Sequence, residues 1–153
     1  MLRSRISQVA VAALVLSMAG TLLALNPDQP TLEELKARVG TASVADRPPL
    51  CLHVAEEQLK NAAGFYAAGE SEKGQAALAD VVAYAQLDRD YAIQSHKHEK
   101  QSEIAIRKMV RKLTDMKHTV TRDEQAQLQT TIEQLEKARD DLLAAMFPKG
   151  GKK

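Results

Sequence analysis

No proline lies between residues 50 and 147, and this long proline-free stretch is the feature that most constrains the fold. Proline breaks helix interiors, so its absence leaves the stretch free to form long helices. Aromatic residues, which favour strands, make up only 3% of the 153-residue chain. That length fits one ordinary domain. The sequence therefore predicts an all-α helical domain over residues 50–147.

Residues 1–25 have the pattern of an export signal. Arg3 and Arg5 form a short basic start, and residues 6–25 carry no charge. The alternative is an uncleaved membrane anchor, because a span of about 20 apolar residues is long enough to cross a bilayer. On either interpretation we expect residues 26–153 to lie outside the cytoplasm, in the periplasm or the extracellular space. Membrane contact is expected only through residues 6–25, and only if they are not cleaved.

The segment 26–49 holds four of the five prolines and is predicted to be a linker with one short helix. Thr31 followed three residues later by Glu34 is a capping-box start, and Gly40 is a natural end for that helix. Such a segment is expected to act as a tether between the helical domain and a membrane or partner. Residues 148–153 are predicted to form a flexible basic tail.

Three helices are predicted after the linker. Helix A begins near Leu50, after the two prolines, and ends near Ala68, with Leu52, Ala55, Leu59 and Tyr66 on its apolar stripe. Helix B is predicted to run without a break from Ser71 to about Thr119. Helix C is capped by Thr121 and stopped by Pro148. Its predicted apolar stripe contains Leu128, Ile132, Leu135, Leu142 and Met146.

The middle of helix B decides between two architectures. Its apolar heptad pattern is clear at both ends, but residues 94–103 are polar on every side. An unbroken helix of about 50 residues would be about 75 Å long, and would give elongated helical hairpins sharing one long central helix. A break within 94–103 would instead give a compact four-helix bundle. The elongated form is favoured because no residue in that segment is a helix breaker.

Charge is distributed unevenly between the end of helix B and helix C. Residues 97–122 hold eight Lys and Arg against three Asp and Glu, whereas residues 123–147 hold six acidic against two basic residues. Antiparallel packing would pair these surfaces. The most basic part is the strip formed by Arg107, Lys108, Arg111 and Lys112. Pairing with helix C is the favoured interpretation, and an interaction with an anionic partner is the alternative.

The overall charge of +1 argues against a nucleic-acid binder. We therefore expect either a protein partner or self-association, including a homodimer, driven by apolar stripes left exposed in an elongated molecule.

Two groups of residues are candidate sites for chemistry. His96, Glu99 and Glu103 share one helix face, so they are candidate ligands for a divalent transition metal, although a solvated polar face is the simpler interpretation. Cys51 is the only cysteine, which excludes an intrachain disulfide. We expect it to be a half-buried structural thiol, with an intermolecular disulfide as the alternative. No other cofactor and no catalytic arrangement is predicted.

The chain shows three local resemblances. Residues 63–69 with 74–78 resemble one helix hairpin of a tetratricopeptide repeat, a family that needs about three repeats to form a solenoid. Residues 120–125 resemble the Leu-Thr-x-x-Gln marker of periplasmic helical-hairpin stress chaperones and metal-sensing adaptors, with the Gln one position later. The span 51–147 resembles uncharacterised exported all-α bacterial proteins, a resemblance that implies no activity.

The sequence thus favours a non-enzymatic, extracytoplasmic helical interaction or scaffold protein. A periplasmic chaperone-like or metal-responsive protein is the alternative.

Overall fold

The chain forms five α-helices and one short 3-10 turn in the computed structural model, which describes residues 29–149. The elements are α1 (Leu32–Thr41), the 3-10 turn Val44–Asp46, α2 (Arg47–Ala67), α3 (Ser71–Ser95), α4 (Glu99–Lys117) and α5 (Arg122–Met146). No strand occurs within the described range, so the predicted all-α class is confirmed. The predicted export signal, residues 1–25, lies outside the described residues.

Helices α2 to α5 form a four-helix bundle built from two hairpins. α2 packs mainly against α3, and α4 packs against α5. The hairpins meet through α3 and α5, which run parallel in the same register. Ser71 donates a hydrogen bond to Glu124 near the start of both helices, and Arg89 pairs with Asp141 at 3.0 Å about five turns later. In this arrangement α2 and α4 are also neighbours, and they make less contact than the α2–α3, α4–α5 and α3–α5 pairs.

The core is a continuous apolar layer contributed by all four bundle helices. Its most enclosed large side chains are Ile106, Met109, Leu113, Leu128, Leu135 and Leu142. The stripes predicted for helices A and C are confirmed, because Leu52, Ala55, Leu59, Ala62 and Tyr66 of α2 and Leu128, Ile132, Leu135, Ala138 and Leu142 of α5 are all buried. Burial of these stripes supplies the main driving force for folding, about 25 cal/mol per Å² of apolar surface.

The predicted unbroken helix from Ser71 to Thr119 is wrong. α3 ends at Ser95 and α4 begins at Glu99, and the corner between them holds His96 and His98 with left-handed φ values of 55° and 66°. A straight helix would leave its polar middle and both apolar ends without a shared core. Folding at the polar segment lets both apolar ends pack into one core. The compact four-helix bundle is therefore the observed architecture, and the elongated hairpins are not.

The predicted start of helix A at Leu50 is also wrong. α2 begins at Arg47, and Pro48 and Pro49 lie in its first turn. Proline is tolerated there because the first backbone N–H groups of a helix have no intrahelical acceptor. The residues just before Leu50 are therefore helical and do not belong to a loop.

The segment 26–49 is not a free tether over its described part. α1 has the predicted capping box, with the Thr31 N–H donating to Glu34 Oε2 at 2.8 Å. It packs against α2 and buries Leu35, and Lys36 reaches across to Asp80 of α3 at 3.0 Å. α1 is thus part of the folded body, because its amphipathic stripe has an apolar surface to cover.

Candidate binding surface

The three predicted metal ligands do not converge. His96 is exposed at the corner, and its Nδ1 lies 3.9 Å from Glu99 Oε1. Glu103 turns the other way and accepts a hydrogen bond from Arg139 Nε of α5 at 2.7 Å, with Arg107 Nε also 3.8 Å away. The structure thus uses Glu103 as a link between α4 and α5. Within residues 29–149, no group of three or more His, Cys, Asp or Glu side chains is arranged to hold a metal ion.

A buried polar pair lies behind the corner and was not predicted. Asp88 of α3 is completely buried, and its Oδ1 accepts a hydrogen bond from Ser102 Oγ of α4 at 2.7 Å. The other carboxylate oxygen, Oδ2, has no hydrogen-bond partner. Burial raises the pKa of Asp88 to about 7, against the opposing effect of the Ser102 hydrogen bond. The pair clasps α3 to α4 across the corner.

Sequence reasoning could have found this pair from its heptad positions. Asp88 and Ser102 both fall on the apolar stripe predicted for helix B, where a polar residue needs a partner once it is buried. Their pairing depends on the break at the corner, because an unbroken helix would hold them about 20 Å apart.

Cys51 is completely buried where α1 covers α2. Burial raises the pKa of its thiol to about 12, with a further contribution from the nearby Asp88 and an opposing one from Arg47. The thiolate needed for disulfide exchange is therefore suppressed. Cys51 is the structural thiol that was expected, except that it is fully enclosed. An intermolecular disulfide through it would require α1 to move away.

The basic strip lies on the exposed side of α4. Arg107, Lys108, Arg111 and Lys112 are all exposed to solvent. The predicted pairing of the strip with acidic helix C is not found. The ion pair between these helices has the opposite polarity, since α4 supplies Glu103 and α5 supplies Arg139. Among the four strip residues, Arg107 alone lies within ion-pair distance of a described carboxylate, that of Glu103.

A groove runs beside the strip, between the second halves of α2 and α4. It contains two adjoining hollows of about 470 and 230 Å³. The larger is lined by Leu59, Lys60, Ala63, Lys112, Asp115, Met116 and Thr119. The smaller adds Tyr66, Ala67 and Val120. This is the α2–α4 groove, and it exists because these two helices stand apart.

The α2–α4 groove differs from the hollow between α3 and α5. The latter has a volume of about 280 Å³ and is lined by neutral side chains, among them Gln75, Gln127 and Gln134. The α2–α4 groove instead combines an apolar floor with charged residues at its edges. Of the two, only the α2–α4 groove offers both apolar contact and a charge preference to a partner.

Comparison with known proteins gives no relative. No protein-family model matches the chain, and no curated protein or solved structure is significantly similar to it. Across the described helices, none is both long enough and apolar enough to span a bilayer.

Proposed function

We propose that this chain is a non-enzymatic, extracytoplasmic interaction protein, and that it binds its partner through the basic strip of α4. The observation that carries the proposal is the exposure of Arg107, Lys108, Arg111 and Lys112 on one helix face. No carboxylate of α5 pairs with any of the four, and among the described residues only Arg107 lies within ion-pair distance of an acidic side chain, Glu103 of its own helix. A single-sign strip of this kind favours encounter with an acidic surface and fixes orientation. The extracytoplasmic location is supported by the export pattern of residues 1–25.

A partner other than a second copy is favoured. Self-association is expected of an elongated molecule, because its apolar stripes would be left exposed. In the bundle those stripes are buried, and over residues 29–149 the large hydrophobic side chain that remains exposed is Phe147. The metal-responsive alternative is disfavoured, because Glu103 is paired with Arg139 and residues 29–149 contain no group of three or more side chains arranged to hold a metal ion.

Site-specific photo-crosslinking tests the proposal. A photoreactive amino acid is placed at Lys108 and, as the matched control, at the exposed Lys137 of α5, in the full chain expressed in a bacterial host with an envelope. We expect a crosslinked species in the exported fraction from position 108 only, and its loss when Arg111→Glu is added. Equal crosslinking from both positions, or retention of the chain in the cytoplasm, would contradict the proposal.

A further inference from the structure

We propose that the α2–α4 groove is the docking site for an amphipathic helix of a partner protein, one that carries acidic residues on both sides of its apolar stripe. The inference rests on the proposed function and specifies the chemistry of the partner. Three observations carry it: the volume and lining of the groove, the lysines along its edges, and the absence of a matching helix among residues 29–149 of a second copy.

The groove has the form that a helix requires. Its floor is formed by Leu59, Ala63 and Met116, and the small Ala63 side chain lets an incoming side chain approach the backbone of α2. The α2 residues that line it, from Leu59 to Ala67, span about 12 Å at 1.5 Å per residue. That length receives about two turns of a helix, whose apolar positions three and four residues apart would enter the two hollows.

Each edge of the groove carries a lysine. Lys60 of α2 is largely exposed, with its Nζ 3.9 Å from Glu57, and Lys112 of α4 faces it across the groove. Lys108 lies one turn before Lys112 on the same side of α4. Asp115 also lines the groove and is the one acidic residue that does so. Two lysines against one aspartate in the lining favour carboxylates on both flanks of the bound helix.

Within residues 29–149, a second copy of the chain does not supply such a helix. Its α5 has an exposed acidic face that includes Glu133, Glu136 and Asp140, but the apolar stripe of α5 is already buried in its own bundle. A second copy can therefore offer the charge without the apolar side chains that would fill the hollows. The neutral hollow between α3 and α5 gives no charge preference to either kind of partner.

Peptide titration tests the inference. The probe is a fluorescent 18-residue peptide with a leucine stripe flanked by glutamates, and fluorescence anisotropy measures its binding to the folded chain. A scrambled peptide of the same composition and a peptide with lysines in place of the glutamates are the controls. We expect the acidic amphipathic peptide to bind at least about tenfold more tightly than either control, because only it matches both stripe and charge.

Paired variants locate the binding. Ala63→Gln fills the groove, and Ala83→Gln places the same side chain on the exposed face of α3. Lys112→Glu reverses a charge at the groove, and Lys137→Glu reverses one on α5. We expect Ala63→Gln and Lys112→Glu each to weaken peptide binding by at least about fivefold, as expected for losses near 1 kcal/mol, with both controls unchanged and circular dichroism unaltered.

The outcomes separate the inference from the proposed function. Equal binding of the scrambled peptide, or no response to Ala63→Gln, would overturn the groove as a helix site while leaving the crosslink at Lys108 intact. Binding to anionic phosphatidylserine vesicles that is lost in Lys112→Glu, with no peptide binding, would replace the helix with a membrane surface. If the peptide does not bind and no crosslink forms from position 108, the groove inference and the proposed function are both refuted.

Discussion

The two ends of the bundle are specified in different ways. At one end lie the α2–α3 turn, residues 68–70, and the α4–α5 turn, residues 118–121, and we call this the two-turn end. At the other end lies the α3–α4 corner, residues 96–98, which we call the histidine corner. The two-turn end has local signals in the sequence, whereas the histidine corner has none of the usual ones.

The two-turn end is built from residues suited to turns. Gly69 takes a left-handed φ of 73° between α2 and α3, a conformation that costs glycine little. Thr121 caps α5, with its N–H and hydroxyl both donating to Glu124 at 2.8 Å. The turns are then tied together through Ser71, which donates to Glu124.

The histidine corner depends on contacts between helices. His96 and His98 adopt left-handed conformations that cost a residue with a Cβ about 1–2 kcal/mol each. The compensation comes from the packing that the corner permits, together with the Asp88–Ser102 clasp and the Glu103–Arg139 pair. A turn of the chain can thus be fixed by the core that it closes, without any turn residue of its own.

The largest expected effect is a pH dependence at the histidine corner. The pKa of Asp88 is raised from 3.8 to about 7 by burial, so the folded state holds this proton more tightly than the unfolded state. Its contribution to stability is complete below pH 3.8 and is lost as the pH rises through about 7. The difference is on the order of 4 kcal/mol. Urea unfolding between pH 4 and 8 should show this decline.

Asp88→Asn tests the origin of that decline. The variant should lose the Asp88 part of the pH dependence and be more stable than the native chain at pH 8, because no charge is buried. The exposed neighbour Asp90, changed to Asn, is the matched control and should keep the native pH profile. Identical pH profiles of stability for the native chain and Asp88→Asn would show that burial does not raise the pKa of Asp88.

The second prediction concerns close packing near the two-turn end. A Cβ on Gly74 would lie 2.8 Å from the Tyr66 ring, so Gly74→Ala should destabilise the chain by about 1–2 kcal/mol. Gly64→Ala is the matched control, since nothing lies within 4 Å of its Cβ, and it should stabilise α2 by about 0.5–1 kcal/mol. Urea unfolding of both variants measures the contrast. Stabilisation by both substitutions would mean that Tyr66 does not pack on α3.

The third prediction concerns the capping residue Thr121 at the two-turn end. Thr121→Ala should lower the free energy of unfolding by about 1 kcal/mol, because the hydroxyl of Thr121 no longer contributes to the capping box of α5, while the backbone N–H bond to Glu124 remains. Amide hydrogen exchange should rise in the first turn of α5 and stay unchanged at the histidine corner. Thr130→Ala, at an exposed position inside α5, serves as the control and should have little effect. An equal loss from both substitutions would remove the role assigned to the cap.

The smallest expected effect relieves strain at the histidine corner. His98→Gly should stabilise the chain by about 0.5–1 kcal/mol, because glycine adopts the left-handed conformation at little cost. His53→Gly, at an exposed position inside α2, should instead destabilise it by about 1 kcal/mol. Thermal unfolding of the two variants gives the comparison. Destabilisation by His98→Gly similar to that by His53→Gly would indicate that residue 98 is helical.

Local patterns predicted the two-turn end, but they favoured an unbroken helix over the break that forms the histidine corner. The caps at Thr31 and Thr121 and the stripes of α2 and α5 are short-range signals, and each is present in the fold. The break at residues 96–98 has no such signal, since the segment contains no glycine or proline. The position of the break depends on contacts that form only after the chain folds back, such as the Asp88–Ser102 and Glu103–Arg139 pairs.

The candidate binding surface was predictable only in part. The sequence placed Arg107, Lys108, Arg111 and Lys112 on one strip. The opposite charges of the two helices, however, predicted that this strip would pair with α5. The polarity of the α4–α5 pair depends on how Glu103 and Arg139 come into register, which composition does not encode. The α2–α4 groove joins residues about 50 positions apart and follows from the break, so no local pattern could reveal it.

The break in the helix is tested most directly by a distance between its two arms. Spin labels are placed at the exposed positions Gln75 and Thr119 in a Cys51→Ala background. Pulsed electron paramagnetic resonance then measures the distance between the two labels. The bundle places both labels at the two-turn end, and we predict a distance below about 30 Å, since packed helices are about 10 Å apart. A distance near 65 Å, the length of an unbroken helix between these residues, would contradict the account.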